Sequence, residues 1–233
     1  MIKSIMIEIC CGTVDDCLVA INNNVDRIEL NSALELGGLT PSLATLRTIK
    51  EITSIPLCCM VRPRTAGFYY SEIAYQTMLE DARILLENKA DGIVFGFLNP
   101  DNTVDIGRTK EMCELIHSFD KEAIFHKAFD SCPNLNQASL DLISCGVSRI
   151  LTDGGKAYPN IEAGAFKLKE LNELYGDKIT YLPGGGVTAE NISNILTTSG
   201  CTQIHMTAKQ LYLDQHEYVA VDDSTLKRFL SQI

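Results

Sequence analysis

One alternation constrains this chain more than any other feature, and it repeats eight times. A short apolar or β-branched run is followed each time by a stretch with helical spacing. The runs are SIMIEIC (4–10), DRIEL (26–30), IPLCCMVR (55–62), DGIVFGF (91–97), EAIFHKA (122–128), SRILT (148–152), ITYLP (179–183) and CTQIHMT (201–207). Helical patterns follow near 13–23, after Thr40-Pro41, and near 71–88, 105–118, 134–145, 161–175, 189–198 and 223–232. Within 71–88, for example, Tyr75, Met78, Leu79, Ala82, Leu85 and Leu86 share one face. Repeated β-then-α order implies parallel strands joined by crossover helices. Eight such units in 233 residues match the size of a closed barrel. The expected fold is therefore α/β, a single (β/α)8 TIM-type barrel, with residues 1–233 as one domain. A doubly wound open sheet competes, but no GxGxxG turn follows the first run. Thr40 is expected to cap the second helix, with Pro41 at its first position. The stretch 208–221 has no readable pattern and is expected to connect the last strand to the last helix.

Charge and cysteine content narrow the function. A formal net charge of −10 repels nucleic acid backbones and anionic membranes, so neither is expected as a partner. No apolar run reaches the length of a membrane span. Glu8 interrupts the apolar N-terminus, which reads as a first strand rather than a signal peptide. The nine cysteines are odd in number, scattered, and form no CxxC. Neither a disulfide framework nor a structural zinc site is expected, and a reducing cytoplasm is the natural setting.

Barrel enzymes carry ligand-binding and catalytic groups at the C-terminal ends of their strands. Side chains alternate faces along a strand. Ile5, Ile7 and Ile9 should face the helices, leaving Met6, Glu8 and Cys10 toward the axis. Ile28 and Leu30 should face outward, leaving Glu29 and Asn31 inward. Cys58, Met60 and Arg62 share a face, with Arg64 just beyond. Ile124 and His126 go together, with Asp130 in the loop after them, and His205 ends the eighth run. Buried alone, each polar group would carry a large desolvation cost. Gathered at one mouth they can pair, either as a structural ion network or as a pocket. Convergence from five strands favours the pocket.

The turn LPGGGVTAEN follows the seventh run, where barrels often bind anions. Gly184, Gly185 and Gly186 are candidates for that role; the alternative is a tight turn that needs positive φ. Most cysteines lie in apolar periodic runs and read as packing. Cys10 differs, because parity sends it to the mouth.

Several motifs occur in order: EICCGTVDDCLVAINNNVDRIELN, ELGGLTPS, RPRTAGFYYS, FHKAFD, LPGGGVTAENI and IHMTA. Together they resemble the copper homeostasis protein CutC family over residues 1–208. The resemblance implies a TIM-type barrel, a cytoplasmic homo-oligomer expected as a homodimer, and a link to copper. It also implies a copper-binding thiolate pair at positions 10 and 31. Here Cys10 is present, but Asn31 stands where the family has cysteine, which weakens that pair. Lys127 replaces an arginine, Asp153 a serine, and HMTAK the usual HxSAR.

Besides a binding protein that keeps the pocket without catalysis, two functions stay open. One is copper homeostasis through copper ion binding, with Cys10 as the metal ligand. The other is an enzyme (lyase, isomerase or hydrolase) acting on a small anionic, carbohydrate-like substrate. In it Arg62, Arg64, His205 and the three glycines bind the anion. Glu8 or Glu29 supplies acid–base chemistry, with His126 oriented by Asp130.

Overall fold

The computed structural model describes residues 5–155 and 160–233; Ser4, expected to start the first strand, lies outside them. Eight strands appear in the expected places: β1 (Met6–Cys11), β2 (Arg27–Leu30), β3 (Leu57–Met60), β4 (Gly92–Phe95), β5 (Glu122–Phe125), β6 (Arg149–Thr152), β7 (Thr180–Pro183) and β8 (Gln203–Met206). Their ladders are all parallel, in the order β7-β6-β5-β4-β3-β2-β1-β8. The two end strands, β7 and β8, lie side by side and bring the sheet round into a nearly closed (β/α)8 barrel. The strands are buried on both faces, which is why they read as continuous apolar runs.

Helices α1 (Val14–Asn22), α2 (Leu43–Ile52), α3 (Glu72–Glu87), α4 (Ile106–His117), α5 (Leu135–Cys145), α6 (Ile161–Tyr175), α7 (Ile192–Ser199) and α8 (Asp223–Leu230) alternate with them. Side chains of Thr13, Ser42, Ser71, Asp105, Asn134 and Asp222 accept amide hydrogens in the first turns of their helices, satisfying donors that would otherwise be orphaned. The cap of α2 is Ser42, not Thr40. Thr40 instead ties its loop to the end of β3: its amide donates to Arg62 O at 3.0 Å and its Oγ1 accepts from Arg62 N at 3.0 Å.

Two separate apolar clusters reflect the strand alternation. Ile9, Cys11, Ile28, Leu30 and Cys59 belong to the large layer between strands and helices. Cys58, Met60, Val94 and Ile124 form a small cluster of their own, the plug inside the barrel. The segment 208–221 is not a plain connection. It forms an antiparallel hairpin, β9 (Lys209–Asp214) and β10 (His216–Val221). The Val221 amide donates to Asp16 Oδ1 at 2.7 Å, fastening the hairpin to α1. No helix among the described residues is long and apolar enough to cross a membrane.

Candidate functional site at the barrel mouth

A cavity of about 570 Å³ opens at the C-terminal ends of the strands. Cys10, Glu29, Asn31, Arg62, His126, His205, Gly185 and Gly186 line it, together with Lys127, Phe68, Met60 and Met206. Most of the residues that parity sends inward therefore do meet at one mouth. Glu8, Asp130, Arg64 and Gly184 do not line it, and each has a physical reason.

Glu8 sits one layer deeper. Its carboxylate takes a close ion pair from Arg27 Nε and a 2.7 Å hydrogen bond from His205 Nδ1, and Arg149 Nη2 stands 3.9 Å away. Burial pushes its pKa up, but the His205 hydrogen bond and the two guanidinium groups outweigh that and hold it well below the usual carboxylate range. Glu8 is an ionised anchor beneath the cavity and does not reach it. Arg27 and Arg149, which anchor it, are inward residues that sequence reasoning passed over. Both stand at the first position of their strands, where a charge reads as a solvent-facing end.

Asp130 turns away from His126. It accepts from Thr152 Oγ1, from the Asp153 amide at 3.1 Å and from the Gly155 amide at 3.1 Å. Burial and the neighbouring Asp153 carboxylate raise its pKa to about 7. The expected His126–Asp130 pairing does not form, because Asp130 is committed to the β6 loop. Arg64 is also committed locally. It donates to the carbonyls of Ala66 and Tyr69 and lies 4.8 Å over the Tyr70 ring. It thereby shapes the β3–α3 loop, which carries Phe68 into the cavity wall. Phe68 in turn lies between Arg62, 5.4 Å from its ring centre, and the His126 ring at 4.9 Å.

The Gly184 amide continues the β7 ladder, donating to Thr152 O at 3.0 Å. Gly185 and Gly186 have φ of 99° and 89°, a region that glycine enters without a steric cost. A Cβ on Gly185 would come within 2.5 Å of Lys127 Nζ, so its bareness also makes room for that ammonium. The helix after this turn starts later than expected, at Ile192. Asn191 Oδ1 takes the Thr188 amide at 2.8 Å, and its Nδ2 donates to Gly186 O at 2.9 Å, folding 186–191 into a turn.

His126 has the most informative environment. Its Nδ1 accepts the Ala128 amide at 3.1 Å, so the neutral ring carries its proton on Nε2. That Nε2 is buried without a hydrogen-bond partner. Burial, followed by the Arg62 charge, lowers its pKa to about 3. His126 is thus a neutral donor held in the cavity wall. Arg62 spends Nη1 on the carbonyls of Gly37 at 3.0 Å and Gly38 at 3.2 Å, while its Nε has no partner. Lys127 Nζ contacts Asp153 Oδ2 at 2.6 Å and lies 3.9 Å from Asp130. Burial opposes charge on His205, but Glu29 and Glu8 together raise its pKa.

Copper(I), the metal the resemblance implies, favours two or more sulfur ligands. Cys10 is the one cysteine lining the cavity among the described residues. Asn31 Nδ2 stands 3.3 Å from its sulfur where a second thiol would be needed. Cys11 faces the helix layer. Cys58 lies in the inner plug, with Arg149 Nη2 at 3.7 Å from its sulfur. The thiolate pair does not fit this chain.

Comparison with known proteins agrees with the barrel fold. The family model described as the CutC family matches residues 5–210. A family protein CutC of Treponema denticola is 45% identical over 206 residues, covering 88% of this chain and 82% of that relative. A family protein CutC of Vibrio cholerae is 36% identical over 205 residues, covering 87% and 79%. The crystal structure of a Streptococcus agalactiae protein named for copper homeostasis, CutC, superposes with a TM-score of 0.81 at 29% identity, covering 86% of this chain and 97% of that one. A deoxyribose phosphate aldolase from Aeropyrum pernix, TM-score 0.64 at 14% identity over 87% of this chain and 85% of its own, shares the barrel fold. With a family model spanning residues 5–210 and a relative 45% identical over 88% of its length, this chain belongs to the CutC family.

Proposed function

We propose that the protein is an enzyme that moves a proton next to a carbonyl on a small, anionic, oxygen-rich substrate bound in the mouth cavity. One observation carries this reading: His126, in the wall of a cavity that also holds a carboxylate, Glu29, and two cations, Arg62 and Lys127, keeps a buried Nε2–H without a hydrogen-bond partner. A neutral imidazole donor aimed at a carbonyl oxygen stabilises the negative charge that develops when a neighbouring proton leaves. Glu29 is the group placed to take that proton. Arg62 and Lys127 attract the substrate's anionic group, and Phe68 shields the contact from water. This proton transfer is shared by isomerases and lyases. All nine cysteines are free and buried, which supports a reducing, cytoplasmic setting.

Copper homeostasis is the second reading. It rests on Cys10 in the cavity wall and on the name carried by the Streptococcus agalactiae relative. The donors beside Cys10 disfavour Cu(I).

The test is isotope exchange. Pools of sugar acids, sugar phosphates, hydroxy acids and keto acids are incubated with protein in deuterated water and followed by mass spectrometry. The expected result is deuterium uptake at one carbon of one chemical class. The rate should fall by about 10²–10⁴-fold in Glu29→Gln and His126→Gln. Uptake that is equal in wild type and both variants, or absent from every pool, contradicts the reading.

A further inference from the structure

We propose that Cys10, Glu29 and His205 form a binding site for a divalent cation of the borderline class that zinc typifies, with one coordination position open to the cavity.

The three side chains come from adjacent strands, His205 from β8, Cys10 from β1 and Glu29 from the end of β2. Their ligand atoms all lie within 4.8 Å of one another. Metal bonds of about 2.0–2.3 Å in a tetrahedral site put ligand atoms roughly 3.5 Å apart. Small side-chain adjustments reach that spacing.

Three further observations point the same way. First, His205 Nδ1 is already engaged by Glu8 Oε1 at 2.7 Å, which leaves Nε2 to ligate. A carboxylate behind a histidine is the usual outer partner of a metal-bound imidazole: it fixes the ring and raises its basicity. Glu8 is in turn clamped by Arg27.

Second, Glu29 is a carboxylate only 2% exposed, and the side-chain donor on it is the neutral amide of Asn31, Nδ2 at 2.7 Å. A buried carboxylate carries a large cost unless positive charge stands near it; His205 lies beside Glu29, and a divalent ion held by both would add to that charge.

Third, Asn31, 1% exposed, donates from Nδ2 both to Cys10 Sγ at 3.3 Å and to Glu29 Oε2 at 2.7 Å, while its Oδ1 is buried without a partner. The amide hydrogens bridge two of the three ligands much as a cation would. Rotating the amide would present the unpartnered oxygen to a bound ion instead.

The donor set chooses the metal. One sulfur, one oxygen and one nitrogen are too hard a set for Cu(I), and one sulfur is out of place among the oxygens that Mg²⁺ and Ca²⁺ require. The mixture suits Zn²⁺ and its spectroscopic substitute Co²⁺. Three protein ligands plus an open position facing a cavity is the arrangement of reactive rather than structural zinc. On binding, the Cys10 S–H bond breaks and its electron pair forms the metal–sulfur bond; that proton, with any proton held on His205 Nε2, leaves to solvent. No redox change is involved.

This goes beyond the acid–base reading. Glu29 is the base in the metal-free cavity and a ligand when the ion is bound, so metal binding measured without substrate can fail while that reading stands. The test uses full-length protein purified without an affinity tag, stripped with a chelator and titrated with Co²⁺. Wild type should develop a thiolate-to-cobalt charge-transfer band that saturates at one ion per chain. Zn²⁺, added against a chromophoric chelator, should displace the cobalt. Cys10→Ser should lose the band, and Glu29→Gln and His205→Gln should bind at least about 10-fold more weakly, with circular dichroism confirming that each is folded. Absence of the band in folded wild type overturns the proposal. So does a band that survives in Cys10→Ser.

Discussion

At the scale of single residues, the cavity's chemistry is set by which polar atoms are already spoken for. His126 Nδ1 is spent on a backbone amide, so its proton must sit on Nε2. Asp130 is spent on the β6 loop, and its pKa of about 7 has a consequence for stability. In the unfolded chain it titrates near its ordinary value of 3.8. The native state therefore holds the proton more tightly, and this stabilisation is complete below about pH 4 and lost as pH rises to about 7. Relative to Asp130→Asn, wild type should lose a few kcal/mol of stability between pH 4 and pH 7, as read by urea denaturation at each pH. Asn31 leads to a second prediction. Its Nδ2 is 3.3 Å from Cys10 Sγ, so Asn31→Cys places two thiols side by side. Under reducing conditions the variant should bind Cu(I) at least about 10-fold more tightly than wild type in a chelator competition. Strand parity made Glu29, Arg62, His126 and His205 legible as inward residues. It could not give depth: Glu8 has the right parity and lies one layer too low. Nor could it tell which partners a side chain prefers: Asp130 and Arg64 are bonded to nearby loops and do not line the cavity.

At the scale of elements, the β3–α3 loop depends on Arg64. Its guanidinium gathers the carbonyls of Ala66 and Tyr69 and lies over Tyr70, so the loop presents Phe68 to the cavity. Arg64→Met should remove those charge-assisted hydrogen bonds, costing about 1–3 kcal/mol. Amides across 65–70 should lose protection in hydrogen exchange, with the barrel strands unaffected. The eight βα units were readable because each strand is buried on both faces and each helix on one, which writes strong periodicities into the sequence. The hairpin β9–β10 buries little: Leu211 is 61% and Leu213 79% exposed. A ribbon with no buried face leaves no hydrophobic signature to read. The start of α7 was misplaced for a local reason. Asn191 takes the Thr188 amide into a turn, a competition between side chain and helix that periodicity does not register.

For the whole molecule, the barrel interior is layered. Charged residues fill its lower part, where Glu8 sits between Arg27, Arg149 and His205, and the mouth cavity lies above them. Glu8→Gln would leave the buried Arg27 guanidinium without its carboxylate, while Arg149 keeps Glu122 at 2.9 Å. It should destabilise the fold by about 3–5 kcal/mol in denaturant titration, so any lost activity in that variant reports on the scaffold. The most direct test of the central claim, that an anionic, oxygen-rich molecule binds against a neutral His126, is nitrogen-15 NMR of the histidine rings across pH, with and without the anionic metabolite pools. The account predicts a neutral Nε2–H tautomer for His126 that persists to about pH 4, because its pKa is near 3, and whose Nε2 resonance moves when a ligand from one pool binds. An imidazolium signal for His126 at neutral pH, or a resonance that no anionic ligand moves, would contradict it.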